Sequence, residues 1–289
     1  MTAPQGTCKS VPVITDRLTE YRNGDLVFDL IDTGPVDGTP VVLLHGFPQR
    51  ASSWNGVSEL LHARGARTFA PDQRGYSPRA RPRSRFAYRA TQLVSDVKAL
   101  VDAIDTGPVH LVGHDWGAVV AWAFAGVHPN LVTSLTTVSV PHPAAYLRAL
   151  PRSNQLARSY YIGLFQIPGV EHAVKGPIGE RTMRSSGMTP EMIEEFRTDI
   201  VEYGALRGGL SWYRSMPAMR PGTIPGSVKV PTTYVWSEGD AFINRTAAEA
   251  CHRYVDADFA FEEIPGATHW IPEQNPAELA DLIAKRAGL

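Results

Sequence analysis

Cysteine is almost missing from this chain: Cys8 sits in a polar leader and Cys251 in a late helical pattern, two in all. Two isolated thiols exclude a disulfide framework and a Cys-based metal cluster, and they make a reducing, cytoplasmic interior the default setting. An excess of charge of either sign is also lacking. The formal net charge is −1, so nothing in the overall balance suggests nucleic acid or an anionic membrane as partner, and a small neutral ligand fits better. No long hydrophobic run occurs. The most apolar short stretches, such as Val41 to Leu44, are strand-sized, and Met1 to Val13 has Pro4 and Gly6 but no apolar run preceded by positive charge. Neither an export signal nor a membrane span is expected. With no CxxC pair, no HExxH and no convincing acidic cluster, no metal and no cofactor are expected either. Internal repeats and low-complexity tracts are absent as well.

What is present is a rhythm. A length of 289 residues leaves one large domain or a domain with an insertion equally open, so periodicity has to decide. Leu18 to Arg22 and Leu26 to Asp32 flank Asn23-Gly24, a two-residue hairpin signal, since both positions tolerate positive φ. Val41 to Leu44 is continuously apolar, followed by His45-Gly46-Phe47-Pro48 and a helical pattern from Trp54 to Arg64 that stops at Gly65. Thr68 to Pro71 is the next strand. Leu93, Val94, Val97, Leu100, Val101 and Ile104 recur at helical spacing, Gly107 and Pro108 close that helix, and the apolar run Val109 to Val112 follows. After a helix from Ala118 to His128, Val132 to Val140 reads as another strand. Alternating strands and helices, with several strands apolar on both faces, predict an α/β fold: a mostly parallel twisted sheet with helices on each side.

The rhythm then breaks. From Pro141 to Pro225 there are helical stretches, such as Glu191 to Tyr203, but no obvious strand, and every methionine except Met1 lies between Met183 and Met219. Unbranched thioethers suit adaptable apolar surfaces, so this part reads as an inserted helical cap. Strands resume at Thr232 to Trp236 and Phe259 to Ile264, and Pro276 to Ala287 supplies a last helix. The expected division is therefore core 1–140, cap 141–225 and core 226–289.

Gly113-His114-Asp115-Trp116-Gly117 lies between the Val109 strand and the next helix, the setting of a nucleophile elbow. Its central residue is a carboxylate where esterases and lipases carry serine. Aspartate is a poor nucleophile toward an amide, but it can attack an sp3 carbon and leave an alkyl ester that water must cleave. Epoxides and alkyl halides are the matching substrates. An N-cap aspartate would account for Asp115 alone, but not for the flanking glycines.

Taken together, His45-Gly46-Phe47-Pro48, the Gly113 to Gly117 elbow and Gly266-Ala267-Thr268-His269, in that order and spacing, resemble the HGxP, GxDxG and GxxH motifs of the epoxide hydrolase family of the α/β-hydrolase fold. The resemblance runs from about Leu18 to the C-terminus. It implies Asp115 as nucleophile, stabilised as the anion by the following helix N-terminus. His269 would activate water, and Asp240 would orient it, with Glu238 as the competing acid. Backbone N–H groups of Phe47 and Trp116 would form an oxyanion hole, and Pro48 would follow a cis peptide. Ring opening also needs a proton donor, which two cap tyrosines supply: Tyr161, in a segment similar to the family's first, and Tyr213, in Trp212-Tyr213-Arg214. Tyr160 is the rival of Tyr161; adjacent helical residues point about 100° apart, so one of them faces the site. Phe47, Pro48, Trp116, Phe165 and Trp212 are expected as apolar walls around the substrate.

Asp72 to Ser77 resembles the family's DxRGxG turn with Ser77 in place of the second glycine, a departure expected to weaken it. The run Arg74, Arg79, Arg81, Arg83, Arg85 and Arg89 reads as a solvated surface balanced by acids. His142 and His172 have no assigned role. The implied activity is conversion of a small to medium-sized apolar epoxide, with water, to a vicinal diol by a monomer or homodimer. Dehalogenases of the haloalkane or fluoroacetate type use the same aspartate. A second halide donor is commonly Asn at the place of Phe47, and fluoroacetate enzymes typically have Arg at the place of Trp116. A noncatalytic binding protein on this fold is a further alternative, disfavoured by Asp115, Asp240 and His269 occurring together.

Overall fold

The apolar runs of the sequence become neighbouring strands because each hides both faces from water. The computed structural model describes residues 17–218 and 226–289. Cys8 with its leader, Met219 and the expected end of the cap at Pro225 lie outside the described residues. The strands are β1 (Glu20–Asn23), β2 (Leu26–Thr33), β3 (Thr39–Leu44), β4 (Ala66–Pro71), β5 (Val109–His114), β6 (Val132–Val138), β7 (Thr232–Trp236) and β8 (Phe259–Glu263), in one eight-stranded sheet ordered β1-β2-β4-β3-β5-β6-β7-β8. β1 and β2 pair antiparallel, β2 also meets β4 antiparallel, and every later pairing is parallel. All residues of β4, β5 and β7 are buried.

Helices α1 (Asn55–His62), α2 (Ala90–Ile104) and α3 (Trp116–Val127) cover the sheet. Strand alternation sorts the core into two layers: Val42 and Leu44 join α2 and α3 on one face, while Val41 and Leu43 join α1 on the other. Between β6 and β7 the described residues contain helices only: α4 (Pro143–Ala149), α5 (Gln155–Arg158), α6 (Tyr160–Leu164), α7 (Glu171–Val174), α8 (Pro177–Ser185), α9 (Pro190–Glu195) and α10 (Leu206–Ser215). The predicted Glu191 to Tyr203 helix is present, but from Phe196 to Glu202 it widens into π-helical turns. The chain closes with α11 (Arg245–Glu249), α12 (Ile271–Gln274) and α13 (Pro276–Ala287), and α13 joins α1 on its face of the sheet. Among the described residues no helix is long and apolar enough to cross a membrane.

Three local expectations change. The hairpin forms, but Asn23 pairs with Leu26, so Gly24-Asp25 is the loop and Gly24 alone takes the positive φ, 58°. The α2 helix stops at Asp105, left-handed at φ 50°, before Gly107 and Pro108 are reached. Ser77 strengthens its turn instead of weakening it. At φ −60° it needs no glycine, and its buried hydroxyl donates to the Asp72 carbonyl (2.9 Å) and accepts from the Asp29 N–H (2.8 Å). The arginine run is only partly solvated: Arg74 is buried in a bidentate pair with Asp96 (2.7 and 2.6 Å), and Arg81 donates to the Tyr76 and Tyr203 carbonyls.

Candidate active site

The end of β5 makes a turn that only small neighbours allow. Asp115 has φ 51° and ψ −119°, a backbone state costing on the order of 1–3 kcal/mol for a residue with a side chain. Two glycines let the turn close. A Cβ on Gly113 would lie 2.3 Å from the Gly117 carbonyl oxygen, and one on Gly117 would lie 2.0 Å from that of Leu44. The β3 loop leans equally close, since a Cβ on Gly46 would meet the Asp115 Cβ at 2.3 Å. That approach delivers the Phe47 N–H to Asp115 Oδ1 at 2.8 Å. For the Trp116 N–H the structure gives no such bond. The Phe47–Pro48 peptide is cis.

The other oxygen, Asp115 Oδ2, lies 3.5 Å from His269 Nε2, and His269 Nδ1 meets Asp240 Oδ2 at 2.8 Å. Asp240 follows β7, where its Oδ1 accepts the N–H groups of Phe242 (2.7 Å) and Ile243 (3.0 Å). Glu238, the competing acid, is exposed. The His269 carbonyl is itself held, by His114 Nε2 and by the Ser139 hydroxyl, each at 2.9 Å. All three side chains are sequestered from water: Asp115 is 8%, Asp240 2% and His269 1% exposed.

Burial alone would raise the Asp115 carboxyl, but the hydrogen bond and charge of His269, with the Phe47 N–H, hold it below the usual range. For His269 burial acts downward, and the carboxylates of Asp240 and Asp115 overcome it, lifting the imidazole to about 10. His114, desolvated and beside His269, falls to about 4 and stays neutral. The resting pair is therefore a carboxylate facing an imidazolium.

These groups open into a cavity of about 130 Å³ between the strand ends and the helices that follow β6, walled mostly by apolar side chains. Phe47, Pro48, Phe165, Tyr161 and Tyr213 line it with Asp115 and His269. The two phenol rings are 5.9 Å apart, and Phe165 and Phe47 pack edge-on against Tyr213 at 4.9 and 5.5 Å. Burial first, then the nearby Asp115 charge, raises both phenols well above the ordinary tyrosine range, so they keep their protons. Tyr160 also lines the cavity but is 58% exposed.

Trp116 and Trp212 are not on the cavity wall. Trp212 neighbours Tyr213 on α10, so with Tyr213 inward it points into the core, where Nε1 donates to the Arg74 carbonyl at 2.8 Å. Trp116 packs edge-on against Tyr213, 5.0 Å between centroids, and against Trp212 at 5.6 Å. Their places are taken by residues that were not anticipated: Phe242, Trp270, Leu164, Val174 and Met183. Phe242 stands edge-on to His269 at 4.9 Å and to Tyr161 at 5.2 Å. Its signal in the sequence was proximity to Asp240, and that of Trp270 was adjacency to His269. Of the unassigned histidines, His142 is buried, stacked on Tyr254 at 4.8 Å and pushed by burial to about 4, while His172 is exposed. No group of three His, Cys, Asp or Glu suited to a metal occurs among the described residues.

Residues 41–282 match the profile of the Alpha/beta hydrolase family. The chain is 31% identical over 277 residues to Epoxide hydrolase 3 of Xenopus tropicalis, covering 91% of this chain and 75% of that protein. It is also 31% identical over 263 residues to the AB hydrolase superfamily protein YfhM of Bacillus subtilis, covering 86% and 90%. Among solved structures, the crystal structure of Epoxide Hydrolase A from Mycobacterium thermoresistibile superposes with a TM-score of 0.78 at 26% identity, covering 91% of this chain and 96% of that one.

Proposed function

The chain belongs to the alpha/beta hydrolase family, among its epoxide hydrolases, and from that premise we propose that it converts an apolar epoxide to a vicinal diol through an ester on Asp115. One observation carries the mechanism: a buried carboxylate shares a cavity with two protonated phenols and is backed by His269 and Asp240. In this reading residues 141–225 act as a cap that supplies the phenols, and the rest of the chain supplies the nucleophile and base. Small apolar walls suit a small to medium-sized hydrocarbon epoxide. A reducing, cytoplasmic setting belongs to the same proposal, supported by the buried free thiol of Cys251.

Asp115 Oδ2 attacks a ring carbon, the carbon–oxygen bond of the epoxide breaks, and Tyr161 or Tyr213 protonates the departing oxygen. Esterification removes one of the two negative charges that hold the His269 proton. The imidazolium becomes more acidic, restores the phenol and is left neutral, ready to act as a base. Water then loses a proton to Nε2 and its oxygen bonds to the Asp115 carbonyl carbon. Negative charge collects on Oδ1, where the Phe47 N–H already points. As the tetrahedral species collapses, Oδ2 departs with the diol and takes back the proton.

Two predictions test these roles. Removing a phenol should slow ester formation and leave ester decay near wild type: Tyr161→Phe and Tyr213→Phe each by about 10–100-fold, and the double variant by about 10³-fold or more. Rapid-quench kinetics measure both steps, and an unchanged ester-forming rate in the double variant would remove the phenols from the mechanism. The second concerns pH. Ester formation needs ionised Asp115, held low, and protonated tyrosines, held high, so its rate should be flat from about pH 5 to 9. Ester decay needs neutral His269 and should rise with pH until the imidazole of the ester form has lost its proton. Parallel pH profiles for the two steps would contradict this assignment.

A dehalogenase reading is weaker: Phe47 has no side-chain donor for a halide, and the Trp116 indole packs against Tyr213 and does not line the cavity. Diol formation from aryl and alkyl epoxides, assayed beside halide release from haloalkanes, decides between the two. Halide release without diol would overturn the proposal.

A further inference from the structure

We propose that the outer side of helices α5 to α8 rests on an anionic lipid surface, so that an apolar epoxide passes from the lipid into the substrate cavity. The docking stands on its own observations; the delivery deepens the reading above and rests on it. Large apolar side chains left in water are unevenly spread over the molecule. Among the described residues ten are exposed, and six of them fall between Leu147 and Ile178. Tyr160 and Leu164 are four residues apart on α6, which sets them on one side of that helix, and Leu156 comes four residues earlier on α5. Ile167 follows α6, and Ile178 stands in the first turn of α8. Exposure is extensive: 66% for Leu156 and 72% for Ile178. Single apolar residues on a surface need no explanation, but a concentration of them beside a ligand cavity marks a contact site.

The patch is continuous with the cavity. Tyr160, Leu164 and Ile178 belong to the wall of the substrate cavity as well as to the surface, so the apolar lining runs outward to solvent through these three residues. An apolar epoxide collects in hydrocarbon and leaves water, which makes a lipid surface laid against this side a reservoir at the cavity itself.

Charge selects the kind of surface. The whole chain is close to neutral, but residues 147–190 hold six basic side chains, Arg148, Arg152, Arg158, Lys175, Arg181 and Arg184, against two acidic ones, Glu171 and Glu180. Both acids are already paired, Glu171 with Arg214 at 2.7 Å and Glu180 with Arg184 and Arg197 at 2.9 and 2.7 Å. Arg148, Arg152, Lys175 and Arg181 are exposed, and the last two stand three residues to either side of Ile178. The carboxylates of α9 face elsewhere. Glu191 and Glu195, with Asp199, line a different hollow that shares only Pro48 with the substrate cavity. Apolar side chains interleaved with cations match a bilayer, where anionic headgroups overlie hydrocarbon. A second copy of this chain fits less well, because a twofold contact would set the same cations against one another. The contact proposed lies on the bilayer and needs no segment that crosses it.

Flotation of the full chain with vesicles tests the docking without any substrate. Vesicles of phosphatidylcholine with roughly one quarter phosphatidylglycerol should bind the protein at least about tenfold more tightly than phosphatidylcholine alone, and about 0.5 M salt should release it. Leu156→Ser with Ile167→Ser, and separately Lys175→Gln with Arg181→Gln, should each weaken binding to the anionic vesicles about tenfold or more. None of these four residues lines the substrate cavity. Turnover of a water-soluble epoxide should therefore stay within about twofold of wild type, while turnover of a long-chain epoxide dissolved in the vesicles falls with binding. Thermal unfolding checks each variant, and the single variants Leu156→Ser and Arg181→Gln replace a pair that fails to fold. No flotation on anionic vesicles, equal flotation on neutral ones, or wild-type flotation of either folded pair overturns the proposal. A dimer that Leu156→Ser with Ile167→Ser splits, in a protein that ignores vesicles, assigns the face to a second copy and overturns it too. If the vesicles behave as expected but no epoxide yields a diol, the docking stands and the reading of the active site fails instead.

Discussion

Asp115→Asn is expected to lower epoxide turnover at least about 10⁴-fold and to yield no covalent adduct, while the protein stays folded. Asparagine is close to isosteric, and its amide oxygen can still accept the Phe47 N–H that reaches Oδ1 at 2.8 Å. The turn should survive. What disappears is the lone pair that attacks carbon: among the described residues Asp115 is the only carboxylate on the wall of the substrate cavity, and the aliphatic hydroxyls there, Thr182 and Ser186, donate to backbone carbonyls. His269 loses one of its two anionic neighbours and keeps Asp240, so little uncompensated charge is left behind. The measurements are diol formation, intact mass and thermal midpoint on the same preparation. Turnover above about one hundredth of wild type would mean that His269 and Asp240 drive water directly onto the epoxide, and the covalent route would have to be abandoned.

His269→Gln is expected to separate the two steps in the opposite sense. Ester formation should continue, slowed by about tenfold because the imidazolium no longer favours the Asp115 anion, and steady-state turnover should fall by about 10³–10⁴-fold as the ester accumulates. The adduct mass identifies the chemistry. Opening an epoxide expels no leaving group, so the protein gains the full mass of the substrate, whereas a haloalkane would add its mass less the hydrogen halide. Absence of any adduct despite measurable epoxide binding would favour a noncatalytic binding protein.

The features readable from the sequence were those with local causes. A continuous apolar run such as Val41 to Leu44 needs cover on both faces wherever it sits, so a helix-coated sheet followed from short segments. Likewise Gly113, Asp115 and Gly117 sit where a carboxylate can leave a strand on a sharp turn, whatever the remainder of the chain does. His269 and Asp240 are 29 residues apart, yet each occupies the loop after a strand, and neighbouring strand ends converge. Orientation was not readable. Whether Trp212 or Tyr213 faces inward depends on the rotational phase of α10 against β-sheet loops, which includes the bond from Trp212 to the Arg74 carbonyl. Ser77 stood where a glycine was expected, and only the extended backbone there and its two hydrogen bonds explain why serine serves better.

The clamp on the His269 carbonyl has a further consequence. His114 and Ser139 fasten that main-chain oxygen to the ends of β5 and β6, and Tyr234 of β7 in turn donates to the Ser139 carbonyl at 2.7 Å. His269, the proposed base, thus rides on the strand ends, and the two proposed proton donors, Tyr161 and Tyr213, ride on α6 and α10. On the proposed mechanism, drift in those helices retargets the enzyme to a new electrophile while the machinery that frees the product keeps its alignment, so substrate range and release chemistry are heritable as separate traits.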